Sequence, residues 1–188
     1  MPPAVIAKEE VLRVLSHEFR TWGYDGATLS RLSQATGLVK ASLYHHFPKG
    51  KQDMAKAVLD HVGQALMEQV VAPMHKPVSV DWLVKELCVN LAAFYGNGKL
   101  SCLVDVFSMG SAKDLLGETV KGHVQALIRE IAALLVRAEI PAEVATARAE
   151  RAVVLIQGGL IIGRALDRPE VFLEQLNDLP DILLAPVD

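Results

Sequence analysis

Between residues 28 and 51 the chain gathers Thr28, Ser30, Arg31, Lys40, Ser42, Tyr44, His45, His46 and Lys51. These are cations, hydroxyls and imidazoles, the side chains that donate hydrogen bonds to phosphate oxygens and to base edges. Nothing in their spacing suits covalent or acid–base catalysis. The sequence has no nucleophile elbow, no phosphate-cradling glycine loop and no paired-acid motif, so an enzyme is not expected. His45 and His46 are neighbours and would point about 100° apart on a helix. No Cys or carboxylate stands at ligand spacing to complete a set, so neither a metal nor a cofactor is expected.

The charge distribution agrees with a polyanion partner at one end. Overall the chain carries −3 with 51% hydrophobic and 22% charged residues, which excludes disorder and points to extensive burial between helices. Residues 1–76 hold nine Lys and Arg against seven Asp and Glu, whereas residues 77–188 hold ten against fifteen. His17, His45, His46, His61 and His75 also lie in the first part, so the positive potential is concentrated there. No apolar run reaches the roughly 20 residues of a membrane span, and Met1 to Glu10 lacks a signal pattern. No membrane association and a cytoplasmic location are therefore expected.

The elements that would carry these residues are helical. Leu12, Leu15, Phe19 and Trp22 form one apolar stripe, with Gly23 as its stop. Thr28 precedes Leu29 and Leu32 as the N-cap of a short second helix that ends at Gly37. A third short helix carries Leu43 and Phe47 on one face, and Pro48 with Gly50 stops it. Two short helices joined at Gly37 and braced by a longer one make a helix-turn-helix. A longer helix from Lys51 to about Val71 follows, with Met54, Val58, Val62, Leu66 and Val70 inward. Beyond Pro73 and Pro77 the pattern gives a helix with Leu83, Leu87, Leu91 and Phe94, and a short apolar piece from Leu100 to Phe107. A long helix from about Asp114 to Ala138 and two final helices opened by Pro141 and Pro169 complete it. The fold class expected is all-α, with about nine helices. Residues 1–50 would form the helix-turn-helix, DNA-binding domain and residues 51–188 a second helical domain.

The run TLSRLSQATGLVKASLYHHFPKGK, Thr28 to Lys51, strongly resembles the TetR family of transcriptional regulators, and Leu43 to Pro48 with Gly50-Lys51 is similar to its LmrA/YxaF-like branch. The resemblance implies a homodimer bound to double-stranded operator DNA. It implies that Thr28, Tyr44 and Lys51 hold phosphates and that Ser30 or Arg31, with Val39, Lys40, Ala41, Ser42 and His45, reads base edges. Lys40 would address guanine and Ala41 a thymine methyl, while His46 braces the helix or touches phosphate. Val39 departs from the polar cap that the family often has at that position.

For the second domain the resemblance implies a pocket for a small apolar effector, with Trp82, Cys88, Phe94, Cys102, Phe107, Met109 and His123 as lining candidates beside their default role in the core. Cys102 matches a Cys-Leu pair of this branch, so a redox or electrophile sensor acting through Cys102 is one alternative, and a helical interaction module without DNA is another. Gly159 and Gly163 form a small-xxx-small pattern in a helix apolar on more than one face. With Leu155, Ile156, Leu160 and Ile162 that helix would meet a second copy of itself, and the last helix, with Phe172 and Leu176, would complete a four-helix interface, as the family dimerises. The resemblance further implies repression by default, with release when an effector favours a second spacing of the two recognition helices.

Overall fold

The computed structural model describes residues 7–187. Among them are nine α-helices and no strand: α1 Lys8–Gly26, α2 Leu29–Thr36, α3 Lys40–His46, α4 Lys51–Leu66, α5 Val80–Phe94, α6 Leu103–Phe107, α7 Gly110–Val136, α8 Ala142–Ala165 and α9 Glu170–Leu183. A π-helical turn, Met67–Val71, and a 3-10 turn, Ala72–His75, continue from α4. None of the described helices is long and apolar enough to cross a membrane.

Two compact units divide the chain, and they do not follow the expected cut at 50/51. The first runs up to Gly63 and takes in Leu103–Val120; the second comprises Gln64–Cys102 and the residues from Lys121 onward. The reason is packing. Met54, Ala55, Val58 and Leu59 of α4, and Leu103, Phe107, Ala112 and Leu116 of α6 and α7, belong to the same core as Leu15, Phe19, Leu32 and Leu43. α4 starts at Lys51 and runs unbroken across Gly63, so its helical pattern carries no mark where the first core ends.

In the first unit the helix stops fall where Gly and Thr allow them. Gly23 takes φ 67° and ψ 176° inside α1 and breaks its regular backbone there. Gly37 takes φ 68° as the left-handed C-cap of α2, a conformation that side chains with a Cβ disfavour. Asp25 caps the start of α7: its carboxylate accepts from the Ser111 hydroxyl and from the Ser111 N–H at 3.3 Å. Those two bonds hold its carboxyl below the usual range, helped by the charge of Lys51 and opposed by burial.

In the second unit α5 packs on α9 and α8 on α9. Tyr95 meets Phe172 edge-on at 5.7 Å between ring centroids. Arg148 closes the C-terminal end of α9 by donating to the carbonyls of Leu183 and Pro186 at 3.0 and 3.1 Å. Arg137 does the same for the 3-10 turn, donating to Met74 O at 2.7 Å and Lys76 O at 3.0 Å. Pro141 and Pro169 sit one residue outside their helices, as N-caps.

Candidate nucleic-acid interface

The first unit builds α2 and α3 as a braced pair. Thr28 caps α2 by accepting from the Arg31 N–H at 3.3 Å. Between the helices the turn is closed by polar groups: Ser33 Oγ donates to Leu38 O at 2.6 Å and Thr36 Oγ1 to Leu32 O at 2.7 Å. α3 then rests on its apolar side, with Leu43 at 0% and Phe47 at 3% exposure. Its other side is open: Val39, Lys40, Ala41, Tyr44, His45 and His46 are exposed and Ser42 is half-buried. Val39 is 66% and Tyr44 45% exposed, so the face mixes apolar, aromatic and basic groups. A short helix with one flank anchored and such a flank free can enter a major groove.

Val39 is the N-cap of α3 without a side-chain bond, as its identity requires. Thr28, Ser30 and Arg31 are exposed on the first turn of α2. Lys51 differs from expectation. It is half-buried, its ammonium donates to Tyr24 O at 2.9 Å and lies 4.4 Å from the centre of the Tyr24 ring. The cation therefore fastens the start of α4 to the end of α1 and is already engaged before any phosphate arrives. The Tyr24 phenol is pushed above its usual range by burial and by the neighbouring Asp25 charge. Tyr44 packs on the turn that starts α4: a Cβ on Gly50, which has φ +65°, would come within 3.0 Å of Tyr44 Cε1. Its ring thus braces the turn while remaining open to solvent.

Trp22 is a correction and a residue that pattern reading missed. It continues the stripe of α1 in sequence, yet it is 47% exposed, and the Arg31 guanidinium lies over its ring at 4.0 Å. Gly23 turns the backbone away one residue later, so the surface that would cover Trp22 comes from α2 and is a cation.

In the second unit the expected pocket residues separate. Trp82 is 44% exposed and has the Lys76 ammonium 5.3 Å from its ring centre, while Phe107 and Met109 belong to the first unit. Phe107 is buried there against Phe19 and Tyr24 at 5.4 and 6.3 Å, and Met109 is 62% exposed. Of these expected lining residues, Trp82 and Met109 thus stand at the surface and Phe107 in the core of the first unit. Cys88, Phe94 and His123 are half-buried and Cys102 is buried. The Cys102 Sγ lies 3.5 Å from both Tyr95 Oη and Gln157 Nε2. Burial pushes the Cys88 thiol up to about 11. Asn90 Nδ2, on α5 and unflagged by any motif, is buried without a hydrogen-bond partner.

The expected dimer residues divide: Ile162 is exposed and Leu155 half-buried, whereas the other six lie inside the subunit. Ile156, Gly159, Leu160, Gly163, Phe172 and Leu176 are buried within one chain. A Cβ on Gly159 would lie 3.0 Å from Phe172 Cα, and one on Gly163 3.0 Å from Arg168 O, so this small-residue pair serves the approach of α8 to α9 inside the subunit. The apolar side of α8 left open carries Val154, Ile161, Ile162 and Leu166, with Leu155 half-buried beside it. Among the described residues no group of three His, Cys, Asp or Glu side chains is placed to hold a metal.

Residues 11–58 match the family model described as bacterial regulatory proteins, tetR family. The chain is 31% identical over 75 residues to the uncharacterized HTH-type transcriptional regulator YxaF of Bacillus subtilis, 38% of this chain and 39% of that one. It is 34% identical over 78 residues to the HTH-type transcriptional repressor AcnR of Corynebacterium jeikeium, 42% of this chain and 40% of that one. These matches span about two-fifths of the length of either relative. A solved TetR transcriptional regulator from Legionella pneumophila shares the fold over 95% of this chain and 97% of its own, with TM-score 0.81 and 20% identity. CifR, a TetR family regulator solved with a 26bp double-strand operator DNA, does so over 96% and 98%, with TM-score 0.77 and 18% identity.

Proposed function

We propose that the chain, whose residues 11–58 match the tetR family of bacterial regulatory proteins, is a ligand-responsive transcriptional repressor of that family that binds a palindromic operator as a homodimer. The single observation that carries the DNA-binding part is the state of α3. Leu43 and Phe47 are sealed in the core while Lys40, Ala41, Tyr44 and His45 stand outward from the same seven-residue helix. In a two-fold dimer two such helices dock one duplex turn apart, about 34 Å. Lys40 addresses base edges and Thr28 and Tyr44 the phosphates, which fix register without reading sequence.

Two features support the remaining parts. The exposed stripe of Val154, Ile161, Ile162 and Leu166 on α8 is the apolar surface through which a second copy would close an isologous interface. For the effector, Asn90 of α5 offers a buried donor without a hydrogen-bond partner. Leaving such a donor unmet costs about 1–3 kcal/mol, which an effector carrying one acceptor oxygen would relieve. Repression is the reading favoured by the relative named as a repressor. The thiol of Cys102 lies at hydrogen-bond distance from a phenol and an amide, Tyr95 and Gln157.

The test is a binding titration on duplex DNA enriched from a random pool, repeated on unrelated duplex at several salt concentrations. Lys40→Ala is expected to reduce discrimination between the two duplexes by roughly 1–3 kcal/mol per site. Equal affinity for both duplexes in the unaltered protein, or no effect of Lys40→Ala on either, overturns the assignment.

A further inference from the structure

We propose that Trp22 is the positioning residue for Arg31, and that the pair forms a clamp for a backbone phosphate beside the α3 face. The inference rests on the DNA-binding reading above and revises one part of it, the base-reading role suggested for Arg31. Trp22 is the largest side chain of α1 and nearly half of it is exposed. The Arg31 guanidinium lies over its ring, at 4.0 Å from the centroid. Among the described residues no carboxylate pairs with that guanidinium.

The chemistry follows from the stack. A guanidinium lying on an aromatic face loses water from one side, is held by the ring quadrupole, and keeps its N–H groups pointing outward in its own plane. That leaves a fixed fork of donors, the form suited to two oxygens of a phosphodiester. An unsupported arginine would have to be ordered at the moment of binding. The stack also ties the cation to the end of α1, one turn into α2 and off the helix that faces the groove. Phosphate is therefore its target, and the base edges remain with α3.

The experiment compares the full chain with Trp22→Ala, Trp22→Leu, Trp22→Phe, Arg31→Ala and the double variant Trp22→Ala/Arg31→Ala, by anisotropy on the enriched and the unrelated duplex across a salt series. Arg31→Ala is expected to weaken both duplexes alike and to lower the salt slope by about 0.9 per subunit. Trp22→Ala and Trp22→Leu should each weaken binding by about 2–5-fold per subunit, the worth of an exposed cation–π contact, and Trp22→Phe should retain most of it. The double variant should bind no worse than Arg31→Ala alone. Trp22→Leu keeps the apolar bulk, so a loss shared by Ala and Leu but restored by Phe separates ring electrostatics from a folding defect. Losses that multiply in the double variant, or Leu and Phe variants that bind alike, overturn the proposal. A loss on the enriched duplex alone in Arg31→Ala overturns the phosphate assignment. Should the unaltered protein bind no DNA, the reading under the proposed function fails; should Lys40→Ala weaken binding while the Trp22 variants do not, only the clamp fails.

Discussion

Gly159→Ala tests how closely α8 and α9 approach, and its sign is set by two opposed terms. Alanine in place of glycine within a helix gains about 1 kcal/mol. Against that, the new Cβ would lie 3.0 Å from Phe172 Cα and 3.1 Å from Gln175 Cγ, inside the 3.5–4.0 Å of an ordinary carbon contact. Gln175 can swing aside. Phe172 Cα cannot yield unless α9 retreats by roughly half an ångström, and the Phe172 ring is fully buried against Tyr95. Overpacking of that kind costs about 1–3 kcal/mol, so the variant should lie between unchanged and about 2 kcal/mol less stable. Gly122→Ala on α7 is the control, because nothing stands within 4 Å of its Cβ. It should gain the propensity term alone, and the gap between the two variants then isolates the close contact. For a chain of this size that gap corresponds to about 2–12 °C in melting temperature. The assay is urea and thermal unfolding followed by circular dichroism at matched protein concentrations. If both variants move upward together, the backbones are not in contact at Gly159 and the intrachain assignment of the small-residue pair is refuted.

Ile161→Arg, on the open side of α8, is expected to leave helicity intact and to convert the proposed homodimer to monomer in analytical ultracentrifugation; an intact dimer would remove that stripe from the proposed interface. Asp25 has a carboxyl held low by Ser111, so its contribution to stability is present above the unfolded value of about 3.9 and fades as pH falls through the lower folded value. Asp25→Asn should therefore flatten the fall in melting temperature below about pH 4, and an acid profile identical to the unaltered protein would show that the cap contributes nothing. With its thiol pushed up to about 11, Cys88 should react with a disulfide reagent at pH 8 far more slowly than free cysteine, as read by mass spectrometry of the Cys102→Ser variant; rapid labelling would contradict its burial.

Much of this was legible because local chemistry fixed it. Thr28 could cap, Gly37 could turn left-handed, and the Leu43 to Phe47 spacing defined which flank of α3 is buried; each is a rule about a few neighbouring residues. The failures share a different origin. Leu160 and Ile161 are adjacent and equally apolar, yet the first is 3% and the second 39% exposed, and only the position of α9 decides between them. Phe107 is buried as expected but in the first unit, because residues 103–120 return to a core assembled mainly from α1 to α4. Periodicity tells which face of a helix is buried and not which partner buries it. Lys51 and Trp22 show the same limit for polar and aromatic groups, since the contact of each is made with a residue distant in sequence or beyond a turn.

The placement of the two tryptophans has a practical consequence. Trp22 lies in the first unit and Trp82 in the second, and each is a little under half exposed with a cation over its ring. The chain thus carries one indole per unit, each open to solvent and therefore sensitive to what settles on it. Variants that keep one indole at a time would let intrinsic emission follow duplex and small-molecule titrations separately, without an attached dye.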